Sequence, residues 1–452
     1  MHPPPRSQRA WLTEHRMLWW ALAIGLLARF AVLLIYAPWR PLVESAALLE
    51  SDAGVYHRLA LCMLQSDGFC LNTNRTPGYP GFVAAIYALA GTAPWVVLAV
   101  QALVDALTIM LTYALGIRLF SPVAAAAAAL LLALDPTSLF TSSSLLTDSL
   151  FTLLFLSAVC LLLLGMNSAQ HRWALAAGLV LGLAAWVRPS AQYLPVLFFA
   201  AALCRGSWPW RRRLAFGATV AIAFALTISP WLYRNQQQFG ALALATVRSE
   251  TLLNWQAALF LAWRDHKPVE EVRQELADEV RAAGWVEDGN PFVNGAVKER
   301  VALRHIQAQP LGYALAMVRG MAFMYLSVGT EKIARKLQLG EPAAPSVNLR
   351  NESTIRGMVD RALRDKGAER LVLGAVLASV NLSQYLLALI GCWIALRSRR
   401  HRQVALFFML LAAYFTLTSG ISAEPRYKMP VTPLYLLLAG VAVQAWVSRR
   451  AR

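Results

Sequence analysis

The residues that could do chemistry are charged groups that lie beside long apolar runs. Asp52 and Tyr56 are four positions apart, so a helix would place both side chains on one face. An acid there could act as a general base, or it could cap the helix through the first amide groups, and spacing alone favours the cap. Charged groups are costly in or beside a bilayer, so each one kept there is a candidate for function.

A second candidate is Arg75, in the segment NRTPGYP at residues 74–80. Two prolines and a glycine predict a rigid turn directly before a short apolar segment, with Arg75 at the membrane–water boundary. A guanidinium held there suits a lipid phosphate, because its planar fork pairs with phosphate oxygens. Ordinary contact with lipid headgroups is an equally good interpretation of the spacing.

Further polar residues lie where other apolar runs begin or end. They are Asp148 at the start of the fourth run, Arg188 after the fifth, Arg234 at the end of the seventh, and Glu424, Arg426, Tyr427 and Lys428 before the tenth. We expect these ends to meet on one outer face, where an acid and several cations would converge. Asp105 instead lies well inside the second run, and the sequence suggests no partner for it.

The composition indicates an integral membrane protein. Of 452 residues, 58% are hydrophobic and 15% are charged, whereas soluble proteins have about 45–50% apolar and about 25% charged residues. A soluble enzyme and a disordered chain are both excluded, since disorder requires low hydrophobicity.

Ten apolar runs are predicted to span the membrane, and this even number places both termini in the cytoplasm. The runs cover residues 17–36, 93–120, 123–140, 145–165, 173–187, 191–204, 216–232, 371–396, 404–420 and 431–447. Residues 311–328 are also apolar enough to span, but they include Arg319. We expect this segment to lie at the outer interface; counting it gives eleven spans.

The chain carries 42 Lys and Arg against 25 Asp and Glu, a net charge of +17. Much of the excess forms short clusters beside apolar runs, as the positive-inside rule predicts for cytoplasmic loops. The clusters are Arg6, Arg9 and Arg16; Arg211, Arg212 and Arg213; Arg397, Arg399, Arg400 and Arg402; and Arg449, Arg450 and Arg452. This distribution favours a lipid bilayer as the partner and not a nucleic acid.

The predicted topology divides the chain into five parts: residues 1–36 (tail and first span), 37–92 (first outer loop), 93–232 (spans two to seven), 233–370 (long outer region) and 371–452 (spans eight to ten and a basic end). Residues 78–90 are apolar but too short to cross a bilayer. Cys62 and Cys70 lie in the first outer loop, where an oxidising compartment would favour a disulfide; the alternative is two buried thiols. No Cys or His spacing predicts a zinc site.

Taken in order, these motifs resemble the GT-C glycosyltransferases, and more narrowly the bacterial relatives of protein O-mannosyltransferases and of the lipid A aminoarabinose transferase. They are Asp-x-x-x-Tyr at Asp52 and Tyr56, Arg-x-Pro-Gly-Tyr-Pro at 75–80, Asp148, Arg188-Pro189, Pro-Trp-x-x-Arg-Asn-x-x-x-Phe-Gly at 230–240, and Glu-Pro-Arg-Tyr-x-x-Pro at 424–430. The resemblance implies an all-α membrane bundle of the GT-C type, with juxtamembrane helices on its outer face. It also implies a bacterial cytoplasmic-membrane enzyme that uses a polyprenyl-phosphate-linked sugar on the periplasmic or extracellular side.

The resemblance also implies roles for residues. Asp52 occupies the position of the family's catalytic base, and Arg75 that of its phosphate-binding cation. Substrate contacts are expected, on the same ground, at Tyr56, Tyr79, Asp148, Arg188, Arg234, Glu424, Arg426, Tyr427 and Lys428. Ala53 follows Asp52 where many relatives have a second acid, so the pattern predicts no metal-binding pair of acids.

The implied chemistry is a single displacement that inverts the anomeric carbon. A lipid phosphate leaves as a stable anion and needs cations to stabilise it, while a carboxylate that takes the acceptor's proton contributes about 10²–10⁴-fold. No cofactor or metal is expected. The sugar and the protein, lipid or glycan acceptor cannot be read from the sequence.

Two other functions remain open. The chain could be a transporter or flippase for a lipid-linked saccharide, although the sequence shows no paired halves with matching broken helices. It could also be a polysaccharide polymerase or ligase of another fold, which would transfer a preassembled glycan instead of a single sugar.

Overall fold

The computed structural model describes residues 16–41, 48–65, 69–70, 72–339 and 368–450. Arg6 and Arg9 of the first basic cluster, Arg452 of the last, and residues 340–367 of the long outer region lie outside these ranges. Every regular element within them is a helix, and eight helices are long and apolar enough to cross a membrane. The prediction of an all-α, multi-pass membrane protein is therefore confirmed.

The α-helices follow one another in chain order with short 3₁₀ or π-helical segments between some of them. They are α1 (Arg16–Tyr36), α2 (Asp52–Leu64), α3 (Gly78–Ala90), α4 (Pro94–Leu119), α5 (Pro122–Ala133), α6 (Pro136–Thr141), α7 (Asp148–Ser168), α8 (His171–Val187), α9 (Leu194–Leu203), α10 (Trp210–Phe239), α11 (Val247–Thr251), α12 (Ala258–Asp265), α13 (Val269–Ala282), α14 (Pro291–Ala308), α15 (Pro310–Leu326), α16 (Thr330–Lys336), α17 (Ala368–Arg397), α18 (Arg402–Ser419) and α19 (Thr432–Arg450).

Seven of the ten predicted spans coincide with long apolar helices: α1, α4, α7, α10, α17, α18 and α19. The run at 123–140 is not one continuous helix. It breaks into α5 and α6, because Pro136 begins a new helix and the Asp135 carboxylate accepts a hydrogen bond from the Ser138 amide at 2.8 Å.

The other two predicted spans are shorter than the long helices. The run at 173–187 is α8, with 17 residues, and the run at 191–204 is a 3₁₀ turn followed by α9, with 10 residues. The two helices are separated at Arg188, whose backbone is extended (φ −146°, ψ 114°) because Pro189 follows it.

The segment at 311–328 forms α15, which is one of the eight helices that could span by length and composition. Its Tyr313 hydroxyl donates to Gln256 at 3.0 Å, and Gln256 donates to the carbonyl of Ser419 at the end of α18. Tyr325, near the other end of α15, shares a 2.7 Å hydrogen bond with Thr416, one turn earlier in α18. Because of these contacts, α15 lies across the end of α18.

The described basic clusters lie at one end of the bundle. Arg402 begins α18, which runs about 27 Å at 1.5 Å per residue before it ends beside Gln256. Arg211–Arg213 begin α10, while Arg397 and Arg449–Arg450 end α17 and α19. The starts of α7 and α19 and the ends of α8 and α18 all lie at the opposite end, which we call the site end.

A buried ion pair joins α1 to α4 and gives Asp105 its partner. Arg29 Nε donates to Asp105 Oδ2 at 2.9 Å, and both side chains are almost completely buried. Arg29 also donates to Ser138 Oγ at 2.8 Å and to the carbonyls of Gly25 and Ala133. Because removing one member would leave a buried charge unpaired, the pair fixes how α1 packs on the bundle.

Candidate active site

Asp52 begins α2 and is held between two arginines. Its Oδ1 accepts a hydrogen bond from Arg75 Nη2 at 2.7 Å, and its Oδ2 one from Arg426 Nη2 at 3.3 Å. Both carboxylate oxygens thus contact guanidinium groups, and the N-cap position belongs to Ser51. Burial alone would raise the pKa of Asp52, but the two arginines outweigh it and hold that pKa below its usual value.

Arg75 is positioned by the turn that precedes α3. Its amide donates to Asn72 Oδ1 at 2.9 Å, and the amide of Thr246 donates to the Thr73 carbonyl at 2.8 Å. On the other side of the turn, a side chain at Gly78 would lie 2.6 Å from the carbonyl of Trp186, so only glycine permits this close approach to α8. The turn is therefore fixed on both sides.

Three consecutive residues of this turn have buried polar atoms without a hydrogen-bond partner among the described residues. The atoms are Asn74 Oδ1, Arg75 Nε and Thr76 Oγ1. Buried polar groups are almost always paired, so such a group of unpaired atoms is characteristic of a place where a polar ligand binds.

Arg426 links three carboxylates. Its Nε donates to Glu424 Oε2 at 2.8 Å, its Nη2 reaches Asp52, and its Nη1 lies 3.5 Å from Oδ2 of the fully buried Asp148. Asp148 also accepts from Arg188 Nη1 at 3.0 Å. We call these six residues the charge cluster: Asp52, Asp148 and Glu424 with Arg75, Arg188 and Arg426. Its formal charges balance, because three carboxylates face three guanidiniums.

Aromatic rings cover all three arginines. The guanidiniums of Arg188 and Arg426 each lie 5.2 Å from the centre of the Tyr427 ring, and that of Arg75 lies 5.8 Å from the centre of the Tyr56 ring. Such cation–π contacts hold a guanidinium in place without using its hydrogen-bond donors. The hydrogen-bond donors of these arginines therefore stay available for oxygen atoms.

Eight of the eleven candidates from the sequence meet here: the charge cluster, Tyr56 and Tyr427. No hydrogen bond or ion pair joins the other three to the charge cluster among the described residues. Tyr79 is fully buried; its ring packs edge-on against that of Tyr56, with 4.9 Å between the ring centres, and its hydroxyl donates to Gln101 at 2.6 Å. Arg234 covers the Trp231 ring at 4.5 Å, and Lys428 is buried with its ammonium directed at the Tyr385 hydroxyl. These three side chains contact the surrounding helices.

Sequence reasoning missed two groups of residues. Arg29 could have been singled out as a candidate because, like Asp105, it is a charge inside an apolar run. The basic residues of α16 gave no signal, since their partners are far away in the chain. Among the described residues, no three His, Cys, Asp or Glu side chains are grouped so that they could hold a metal ion.

A disulfide joins Cys62, in α2, to Cys70, in the connection to the Arg75 turn. It links the helix that carries Asp52 to the turn that carries Arg75. The bridge closes a short loop, since its two cysteines are eight residues apart in the chain.

Removing this bridge is expected to destabilise the protein by about 2–3 kcal/mol in the chain-entropy model for so short a loop. Cys62→Ser should therefore lower the thermal unfolding midpoint, and a reducing agent should lower the midpoint of the native chain but not that of Cys62→Ser. Cys204→Ser, at an exposed free thiol, is the matched control. An unchanged midpoint after reduction would show that the bridge does not hold the two segments together.

The helical bundle and the charge cluster at one end of it define a multi-pass membrane protein with a GT-C-like fold. Residues 74–233 match the family described as dolichyl-phosphate-mannose-protein mannosyltransferase. This match covers Arg75, Asp148 and Arg188 of the charge cluster, and it confirms the resemblance to GT-C glycosyltransferases. No curated protein matches the chain by sequence.

The fold is shared with a solved archaeal enzyme at low sequence identity, and a bacterial structure matches with a lower score. The oligosaccharyltransferase of Archaeoglobus fulgidus, tethered to an acceptor peptide, superposes with a TM-score of 0.54 at 13% identity, over 97% of this chain and 50% of that one. The same enzyme, AglB, with an inhibitory peptide and a dolichol-phosphate gives 0.52 at 15% identity, over 95% and 51%. ArnT of Cupriavidus metallidurans bound to undecaprenyl phosphate gives 0.44 at 16% identity, over 98% and 79%. The chain spans about half the length of the archaeal enzyme.

Proposed function

We propose that the chain is an inverting glycosyltransferase that moves a sugar from a polyprenyl-phosphate donor to an acceptor hydroxyl. Asp52 is the general base and Arg75 binds the lipid phosphate. The observation that carries this proposal is the position of the Asp52 carboxylate between the guanidiniums of Arg75 and Arg426. A base and the cations for a leaving phosphate thereby share one site, as a single displacement requires.

The donor phosphate would take the place that the Asp52 carboxylate now holds on Arg75. Phosphate and carboxylate oxygens bind a guanidinium fork in the same way, and the unpaired Arg75 Nε and Thr76 Oγ1 offer two further donors. The matched family is named for a dolichyl-phosphate-linked donor, and AglB was solved with a dolichol-phosphate, which supports a lipid phosphate here.

Replacement of the Asp52 carboxylate by phosphate on Arg75 would also make Asp52 a stronger base. While Asp52 is paired with two arginines its pKa is low, and a low pKa makes a weak base. Once Arg75 pairs with phosphate, Asp52 loses its nearest cation and gains a neighbouring anion, and both changes raise its pKa. The base therefore becomes stronger only when donor is bound.

The chemical step forms one bond, breaks one bond and transfers one proton. The acceptor oxygen forms a bond to the anomeric carbon, the bond from that carbon to the phosphate oxygen breaks, and Asp52 takes the hydroxyl proton. The leaving polyprenyl phosphate keeps the electron pair and stays with Arg75. Attack opposite to the leaving group inverts the anomeric configuration.

The site is proposed to face the periplasm or the extracellular side of a bacterial cytoplasmic membrane. The described basic clusters lie at the other end of the bundle, and short basic segments beside spans are retained in the cytoplasm. The Cys62–Cys70 disulfide near the site agrees with an oxidising compartment.

Metal removal is expected to leave the activity unchanged, because guanidinium groups supply the positive charge that the leaving phosphate requires. Sugar transfer by purified protein in EDTA should equal transfer in buffer with added Mg²⁺ or Mn²⁺. A loss in EDTA that Mg²⁺ or Mn²⁺ restores would contradict this scheme.

Mass spectrometry of cell-envelope glycans tests the proposed function. Cells that produce the native chain should carry one added sugar on an acceptor, and cells without the chain or with Asp52→Asn should lack it. A preassembled glycan in place of one sugar would contradict the proposal. So would reconstituted vesicles in which the native chain moves a lipid-linked saccharide across the bilayer but forms no glycosidic bond.

A further inference from the structure

The short helix α16 contacts the three chain segments that carry the carboxylates of the charge cluster, Asp52, Asp148 and Glu424. It follows Gly329, whose positive φ of 67° turns the chain after α15. Its apolar residue Ile333 packs against Leu377 of α17 and, with Leu337, near Phe140. It also carries three cations, Lys332, Arg335 and Lys336.

The three cations of α16 need partners from elsewhere in the chain. Residues three and four apart in a helix are neighbours, so these three like charges repel one another and weaken an isolated helix. Each cation instead contacts an oxygen atom of another segment. The placement of α16 and the placement of those segments therefore depend on each other.

Lys336 makes the best-buried of these contacts. Its ammonium donates to the Phe140 carbonyl and to Ser143 Oγ, both at 2.8 Å, and to Ser144 Oγ. Phe140 lies in the last turn of α6, and the two serines lie in the loop at 142–147, which leads directly into Asp148. Because three donors of one part-buried ammonium are satisfied by the end of α6 and this loop, Lys336 fixes where α7 begins.

The same loop is also held by Gln101 of α4, which connects it to the segment that carries Arg75. Gln101 Nε2 donates to the carbonyls of Ser142 at 2.9 Å and Ser144 at 2.8 Å. Gln101 Oε1 accepts the hydroxyl of Tyr79, four residues after Arg75. Continuous hydrogen bonds thus connect Lys336, the loop before Asp148 and the helix after Arg75.

The other two cations of α16 reach the remaining segments. Arg335 Nη1 lies 3.1 Å from Glu50, two residues before Asp52, and Lys332 Nζ lies 3.3 Å from Glu424 of the charge cluster. Both contacts are largely exposed, and exposed ion pairs contribute little free energy. Lys336 is therefore the residue through which α16 acts most strongly.

We propose that α16 is the positioning element of the active site and that Lys336 is its positioning residue. Lys336 contacts no residue proposed to bind phosphate; it holds the loop before Asp148, and Asp148 in turn holds Arg188 and Arg426. This inference rests on the proposed function, because the positioning matters only if the charge cluster performs the transfer.

Lys336→Met is expected to lower kcat by about 10- to 100-fold, the effect of a small misplacement of reacting groups, with little change in donor KM. Lys336→Arg, which keeps the charge, should restore most of the activity. Adding Ser143→Ala and Ser144→Ala to Lys336→Met should lower kcat no further, because these residues act through the same contact. Lys298→Met, which removes a part-buried lysine paired with Glu250, is the matched control and should keep native kcat.

A second readout does not depend on turnover. The background for this test has Cys160, Cys204 and Cys392 replaced by alanine. In it, the cysteines introduced by Glu50→Cys and Arg335→Cys should be joined efficiently by a thiol-reactive cross-linker. Adding Lys336→Met should reduce the cross-linking yield. Native kcat in Lys336→Met, or an unchanged yield, overturns the positioning role. If the native chain transfers no sugar, the proposed function fails, and the cross-linking yield alone decides whether Lys336 places α16.

Discussion

Replacing Asp52 with asparagine is expected to reduce kcat for sugar transfer by about 10²–10⁴-fold, the usual contribution of a general base. The amide keeps the shape of the side chain but cannot take the acceptor's proton. Donor binding should be retained or become tighter, because Arg75 no longer has a carboxylate competing with phosphate. A fall in kcat with an unchanged or lower donor KM is thus the specific signature of this variant.

Asp265→Asn is the matched control for this variant. Asp265 is also paired with an arginine, Arg264, and its pKa is also lowered by that partner, but it lies outside the charge cluster. We expect native kinetics from it. Full activity of Asp52→Asn, or equal loss in both variants, would remove Asp52 from the mechanism.

Replacing Arg75 with alanine is expected to raise donor KM and to lower kcat/KM by about 10- to 100-fold, the loss from removing a hydrogen-bond partner of a charged group. Arg75→Lys should recover only part of this, because an ammonium lacks the planar fork. Arg273→Ala is the control, since Arg273 is likewise part-buried, ion-paired and stacked on a ring, but lies in α13. Unchanged donor KM in Arg75→Ala would contradict its role.

Arg75→Ala should also change the pH dependence. Arg75 is the strongest of the contacts that lower the pKa of Asp52, so the native chain should keep its base ionised down to a pH below 3.8, the ordinary value for an aspartate. Without Arg75, burial raises that pKa, and the acid limb of kcat/KM should move to higher pH. A shift to lower pH, or none, would show that Arg75 does not control Asp52.

The charge cluster was largely predictable from the sequence because its members occur at the ends of apolar runs. Charges in such places are retained for a reason, and the ends of neighbouring helices on one side of a bundle lie close together. This logic predicted Asp52, Arg75, Asp148, Arg188 and Arg426. It could not tell which way each side chain points, so Lys428 and Arg234 were expected to join residues that they do not contact.

The sequence was less informative where distant contacts decide the structure. Whether the run at 123–140 continues through Asp135-Pro136 depends on a local hydrogen bond that competes with an apolar pattern. Arg29 and Asp105 are 76 residues apart, and Lys336 and Ser143 are 193 apart, so no spacing rule connects them. Such pairs become visible only when the helices are packed.

The proposed mechanism requires Asp52 and a lipid phosphate to compete for Arg75. Its most direct test is the affinity of purified protein in detergent or nanodiscs for polyprenyl phosphate, compared among the native chain, Asp52→Asn and Arg75→Ala. The account predicts that Asp52→Asn binds at least as tightly as the native chain and that Arg75→Ala binds more weakly. Equal affinities in all three proteins, or weaker binding by Asp52→Asn, would contradict it.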